Sequence, residues 1–220
     1  MKSAGNDIVA LNAIDIQRTT STAFYSKFII PEERAFYQQP QFGAVPFQNF
    51  VWLLWSVKES AYKYLKRLQP DLVFSPSKLI IRNITVPHIQ STAEAAVWES
   101  GNKNEEFHTG EVISGTHRLY FRSKITGGFI ASIVNDTPGF ENVYWGIKSI
   151  QNTSYEHQST EVREFILNKL RQILSVDNLR IEKTSEGCPV VFNAENLLDI
   201  AVSFTHHGYF VAYSFYSVSS

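Results

Sequence analysis

The 220 residues carry 20 Lys and Arg against 21 Asp and Glu, a formal net charge of −1, which excludes the broad basic face that general nucleic-acid binding needs but leaves room for a small basic pocket. With 44% apolar and 19% charged residues, the chain can bury a real core as one large or two small domains and is not a disordered segment. A lone cysteine, Cys188, excludes an internal disulfide, and neither a secretory leader nor a membrane-length apolar run is evident, so a reduced, cytoplasmic setting without a membrane is expected.

In chain order, DIVALNAI at 7–14 follows Gly5 and Asn6 and reads as a first strand. IPEERAFYQQ opens on a proline and two acids, which suits a short helix. In PFQNFVWLLWSVKESAYKYLKRLQP, Phe47, Phe50, Val51, Leu54, Val57, Ala61, Tyr64, Leu65 and Leu68 recur at steps of three and four, predicting a long amphipathic helix closed by Pro70. The period then changes. SKLIIRNITV, FHTGEVIS, HRLYFRSKI and GFIASIVND read as strands, with the polar STAEAAVWESGNKNEE between the first two as a loop or short helix. NDTPGFEN at 135–142 crowds Asp, Pro, Gly and Asn together and is the best internal boundary. VYWGIKSI reads as a strand and STEVREFILNKLRQIL as a helix, with Val162, Phe165, Ile166, Leu170, Ile173 and Leu174 on one face and Ser159 or Thr160 as its cap. NLRIEKT, CPVVFN, DIAVSFT and YFVAYSFYSV are strands. Each half thus reads strand, helix, strands, and GFIASIV at 128–134 resembles YFVAYSF at 209–215. The expected fold class is α+β: two similar subdomains, 1–138 and 139–220, related by a pseudo-twofold axis, each a long helix on a small, mostly antiparallel sheet.

Three clusters can carry chemistry. Asp7 sits in GND at the start of the first strand. On the long helix, WSVKESAYK puts Glu59 and Lys63 four residues apart on one face, within a stripe of Trp52, Trp55, Ser56, Glu59, Lys63 and Lys66; taken alone, such a pair is a solvated ion pair. VSFTHHGYF places two histidines between a strand and a glycine, and strand alternation lets only one of them face a given pocket. Alone it reads as a polar hairpin, and a metal site there lacks further ligands at suitable spacing. Glu32 and Glu33 are acids at a helix start, where acids are favoured anyway. SEGCPVV reads as a turn entering a strand rather than a nucleophile site.

Taken in order, GNDIV, the acidic opening of a short helix, WSVKESAYK, Gly187 with Pro189, and VSFTH resemble the 4′-phosphopantetheinyl transferases, the family of holo-acyl-carrier-protein synthases and their larger relatives. The resemblance implies a Mg²⁺-dependent enzyme (Mn²⁺ can substitute) that moves the phosphopantetheine arm of coenzyme A to a serine of an apo carrier protein and releases adenosine 3′,5′-bisphosphate. By position, Asp7 and Glu59 are the implied metal ligands and Lys63 the phosphate-binding lysine one helical turn on. Glu33, with Glu32 as the alternative, matches the acid that activates the serine. Lys58 serves phosphate or structure. Thr205 and His206, rather than His207, match the segment that contacts the nucleotide end of coenzyme A. Trp55 is expected to pack beside the site, and Trp52 to lie in the core or at an interface. Metal residues come first and the Thr-His segment last, which implies a fused pseudo-dimer with one active site per chain, acting as a monomer.

Departures from the family pattern bear on affinity. The turn that carries a phosphate-binding lysine in relatives reads Gly187, Cys188, Pro189, with Lys183 the candidate substitute cation. The second acid that larger relatives carry after the metal aspartate is Val9. The basic residue used on an acidic carrier helix is replaced near Ile14, leaving Arg18 as the nearest cation. Two other readings stand beside an active transferase. One is a non-catalytic relative that binds coenzyme A or docks a carrier. The other is an unrelated α+β protein whose motifs agree by chance.

Overall fold

In the structure, a computed structural model that describes residues 3–87, 96–101 and 106–217, the chain opens on strand β1 (Gly5–Ala10), buried along its length. Short helices α1 (Ile16–Thr19), α2 (Thr22–Tyr25) and α3 (Pro31–Arg34) lead to the long α4 (Phe47–Leu68). Strands β2 (Ile80–Thr85), β3 (Val97–Glu99), β4 (His108–Ser114), β5 (His117–Ile125) and β6 (Phe129–Asn135) follow. Then come β7 (Val143–Ser149), α5 (Tyr155–Leu174), β8 (Leu179–Lys183), β9 (Pro189–Asn193), β10 (Asn196–Leu197), β11 (Ala201–His207) and β12 (Phe210–Tyr216).

The fold class is α+β with antiparallel sheets, in the orders β1-β6-β5-β4-β2, β11-β12-β7-β3 and β10-β9-β8. Helix α4 covers one face of the first sheet, where Val57, Ala61 and Leu65 pack with Val9, Phe121 and Val134. On that sheet's other face Ile8, Ala131 and Ile133 meet Trp145, Ile147 and Ala212 of the second sheet. Helix α5 closes the far side, with Ile166 and Leu170 against Val202, Tyr213 and Phe215. The order is helix, sheet, sheet, helix, and each large apolar side chain buried in it stabilises the fold by about 1.5–3 kcal/mol. Among the described residues no helix is long and apolar enough to cross a membrane.

Three boundaries differ from the sequence reading. β1 stops at Ala10, and Leu11–Ala13 turn as a 3-10 segment, because its partner β6 begins at Phe129, opposite Ala10. α5 starts at Tyr155 with Ser154 as its cap, not Ser159 or Thr160; the added polar turn is anchored where Gln158 donates to the Gly208 carbonyl at 2.8 Å. Inside the polar stretch read as a loop or short helix, Val97–Glu99 form β3 on the edge of the second sheet, paired with β7; positions 91–95 and 102–105 of that stretch lie outside the described residues.

The two sheets meet along a seam of side chains between β1 and β11. Alternate residues of β11 face β1. The Asn6 N–H donates to Ser203 Oγ at 3.3 Å, the Thr205 hydroxyl donates to Asp7 Oδ1 at 3.3 Å, and the Ala10 N–H donates to His207 Nδ1 at 3.0 Å. Arg67 at the end of α4 adds hydrogen bonds to the carbonyls of Pro189 and Val202. On the other side of β1, α4 comes so close that a Cβ on Gly5 would lie 2.1 Å from the Ser60 carbonyl oxygen. Both atoms sit on rigid backbone, so Gly5→Ala is expected to push α4 off the strand and lower stability by about 1–3 kcal/mol. A lower urea midpoint at an unchanged slope is the result to look for.

Candidate functional site

Alternation along β1 turns Gly5, Asp7 and Val9 toward α4, and the helical period turns Ser56, Glu59, Ser60 and Lys63 toward β1. The ammonium of Lys63 lies 3.3 Å from Asp7 Oδ1 and 3.3 Å from Glu59 Oε1, and donates to the Asn6 carbonyl at 3.1 Å. Thr205 from β11 donates to the same Asp7 oxygen. Among the described residues the other one, Asp7 Oδ2, is buried with no hydrogen-bond partner. Burial pushes the Asp7 carboxyl up to about 6; Lys63 pulls it down and Glu59 adds to the rise. Burial also works against the Lys63 ammonium, but Asp7 and Glu59 outweigh it and hold its pKa above the ordinary value.

Beyond Lys63 the same stripe of α4 carries Lys66 and Arg67. With Lys183 at the end of β8 and the β8–β9 turn at Gly187–Pro189, they frame a groove of about 230 Å³. Gly187 takes φ +82°, a left-handed turn that suits glycine, and Cys188 is half-buried in this turn. His206, on the face of β11 opposite Thr205, sits edge-on to Tyr155 at 5.4 Å. Its pKa is lowered by burial and then by Lys63, His207, Lys183 and Arg163. Among the described residues the cations lining this groove outnumber its one acid, Glu186, so its field favours an anion.

The structure therefore brings Asp7, Glu59, Lys63 and Thr205 together and sets His206 near the groove's cations. It does not bring Glu33 and Lys58 to them. Lys58 lies about 100° around α4 from Glu59, and its ammonium is 2.7 Å from Glu33 Oε2 with both side chains 0% exposed. Lys58 also donates to the carbonyls of Phe28 (2.7 Å) and Pro76 (3.0 Å). Glu33 accepts from the N–H groups of Ile30 (3.1 Å) and Ile81 (2.8 Å). Both carboxylate oxygens are thus engaged inside the protein. Burial lowers the Lys58 pKa and Glu33 opposes that. Glu32 is exposed on α3. Trp55 packs against Phe28 and Phe74, and the Trp52 indole N–H donates to Thr19 Oγ1. Trp52, Trp55, Phe24 and Phe28, with Pro76, Arg18 and Lys27, line a second groove of about 350 Å³.

Arg67 and Ser203 were not singled out by their sequence context, and His207 was weighed there only as the lesser alternative to His206. The signals were there in part: Lys63, Lys66 and Arg67 follow the three-four step of a helix face, and Ser203, Thr205 and His207 the alternation of a strand face. What sequence could not supply was the neighbour, β1, that the strand face meets.

Among the described residues no group of three or more His, Cys, Asp or Glu could hold a metal ion. The donor set that exists is two carboxylates, one with a free buried oxygen, beside an anion-favouring groove. That suits a hard cation such as Mg²⁺, which takes one or two protein carboxylates and fills its remaining positions with water and phosphate oxygens. Comparison with known families matches residues 3–118, just over half of the chain, to the 4′-phosphopantetheinyl transferase superfamily. No curated protein and no solved structure matches the chain.

Proposed function

Since the chain belongs to the 4′-phosphopantetheinyl transferase superfamily, we propose that it moves the 4′-phosphopantetheine group of coenzyme A to a serine of an apo acyl or peptidyl carrier protein, as holo-acyl-carrier-protein synthases do, releasing adenosine 3′,5′-bisphosphate. The observation that carries this reading is the free buried oxygen of Asp7, whose carboxylate shares with Glu59 the ammonium of Lys63, a side chain that also lines the cationic groove. Asp7 and Glu59 would hold Mg²⁺ or Mn²⁺, which supplies charge neutralisation at a pyrophosphate. Thr205 fixes one Asp7 oxygen and leaves the other for that ion. Lys63, Lys66 and Lys183 receive the phosphates of coenzyme A, with His206 at its nucleotide end. Glu59, 29% exposed, is a carboxylate that a serine hydroxyl can reach from solvent, and it accepts the proton. Glu33 and Lys58, sealed in their own pair, are assigned a structural role.

The second groove suits the carrier. Trp52, Trp55, Phe24 and Phe28 offer an apolar floor, and Arg18 and Lys27 a cationic rim, two turns or less along α4 from Glu59. An acidic amphipathic helix is complementary to both. The pseudo-dimer reading also has support. β1 pairs with β6 as β7 pairs with β12, and each half sets a long helix between its first strand and its closing hairpin. On this reading residues 1–138 supply the metal site and 139–220 the wall for coenzyme A, with one site in each cytoplasmic monomer.

The test is to mix the purified protein with an apo carrier, coenzyme A and Mg²⁺ and to weigh the carrier. A gain of one phosphopantetheine is expected. Coenzyme A binding without that gain would leave a non-catalytic relative, a reading favoured by Cys188 in the phosphate turn; the absence of both transfer and binding would overturn the proposed function. Lys183 lines the groove that this turn closes and is assigned the missing cation's role. Lys183→Ala is expected to raise KM for coenzyme A about 10- to 100-fold, the worth of one charge-assisted contact, with kcat little changed in steady-state kinetics.

A further inference from the structure

The ammonium of Lys63 lies between the two carboxylates that the transferase reading gives to a divalent cation. Asp7 Oδ1, Glu59 Oε1 and the Asn6 carbonyl oxygen lie 3.3, 3.3 and 3.1 Å from its Nζ. The same side chain lines the groove with Lys66, Arg67 and Lys183. It is 26% exposed on a flexible four-carbon stem, so both positions are within its reach. The ammonium rests on Asp7 Oδ1 and Glu59 Oε1, so a divalent cation taken up on the free Asp7 Oδ2 and on Glu59 would lie within a few ångströms of it, and the repulsion between the two acts over the same distances as the attraction of each to the carboxylates.

We propose that Lys63 is an exchangeable internal counter-ion. It neutralises Asp7 and Glu59 from within the chain. When those acids take a divalent cation, its ammonium moves into the groove and serves a phosphate instead. The inference rests on the transferase reading and adds a coupling to it. Cation binding frees the ammonium that the phosphates use, and phosphate binding draws the ammonium off the carboxylates, so each favours the other by the same factor.

Free Mn²⁺, followed by its electron paramagnetic resonance signal, measures the exchange on the full chain with no carrier present. Without nucleotide, Lys63→Met and Lys63→Gln are each expected to bind Mn²⁺ about tenfold more tightly than wild type, since the resident competitor is gone. Adenosine 3′,5′-bisphosphate is expected to tighten Mn²⁺ binding more in wild type than in either variant. Folded variants that bind Mn²⁺ no more tightly than a binding-competent wild type would overturn the exchange and leave the transferase reading intact. Absence of Mn²⁺ binding to every form, with or without the nucleotide, would overturn both. If neither variant folds, the wild-type protein decides. The ¹⁵N resonance of the Lys63 ammonium is expected to be protected from solvent and to lose that protection on adding Mg²⁺; a resonance unchanged at saturating Mg²⁺ would overturn the proposal.

Discussion

Asp7→Asn is expected to abolish transfer, by about a hundredfold to a thousandfold or more, while making the protein harder to unfold near neutral pH. The two effects share a cause. The Asp7 carboxyl is buried, and its pKa stands at about 6 against 3.8 for the free group. A folded-state value above the unfolded one means that the group stabilises the fold below the unfolded value, and that this contribution is lost as pH rises through the folded value. At pH 7 the ionised Asp7 therefore costs about 2–3 kcal/mol. Asparagine keeps the shape and still accepts from Thr205 but carries no charge to desolvate, so it recovers much of that. Urea denaturation in a chelator should show the variant ahead of wild type at pH 7, with the gap closing toward pH 4. A variant less stable than wild type at pH 7 would refute the burial argument. Full transfer activity would refute the assignment of Asp7 to the metal.

The parts of this arrangement that sequence made legible are those fixed by local period. Nine apolar residues at helical steps marked α4, and the four-residue spacing put Glu59 and Lys63 on one of its faces. The GND cluster at the start of an apolar run read as a strand located Asp7, and the family resemblance gave it a role. The parts that were not legible depend on what the rest of the chain lays over a surface. Lys58 and Lys63 read alike as helix lysines. One is sealed because the segment around Phe28 to Glu33 and the one around Pro76 fold over that side of α4, and nothing in WSVKESAYK reports this. Glu33 read as an ordinary acid at a helix start, where acids are favoured whatever lies above them, and only the resemblance gave it a part in the reaction. β3 is three residues long, too short for a period to show, and its pairing is set by β7, about 50 residues on. The seam of Ser203, Thr205 and His207 has the same character: its pattern is local and its partner is not.

The buried pair supplies the second large effect and separates structure from catalysis. Glu33→Gln or Lys58→Met alone leaves a charge in an apolar interior without its counter-charge, and each is expected to cost about 3–5 kcal/mol. The double variant carries no charge there. Its glutamine can still accept from the Ile30 or Ile81 N–H groups, so it should recover most of the loss, giving a coupling of more than about 1 kcal/mol in a double-mutant cycle. Catalysis then discriminates. If Glu33 accepted the serine proton, the folded double variant would remain inactive, because an amide cannot take that proton at neutral pH. If the pair is a clamp, the folded double variant keeps its kcat. The clamp ties α4 to Phe28 and Pro76, which also line the aromatic groove. Any residual defect should therefore appear in KM for the carrier and not for coenzyme A, whose proposed groove lies on another side of the helix. A double variant that folds as wild type does but transfers nothing would return Glu33 to the reaction and require its carboxylate to leave the Lys58 pocket during turnover.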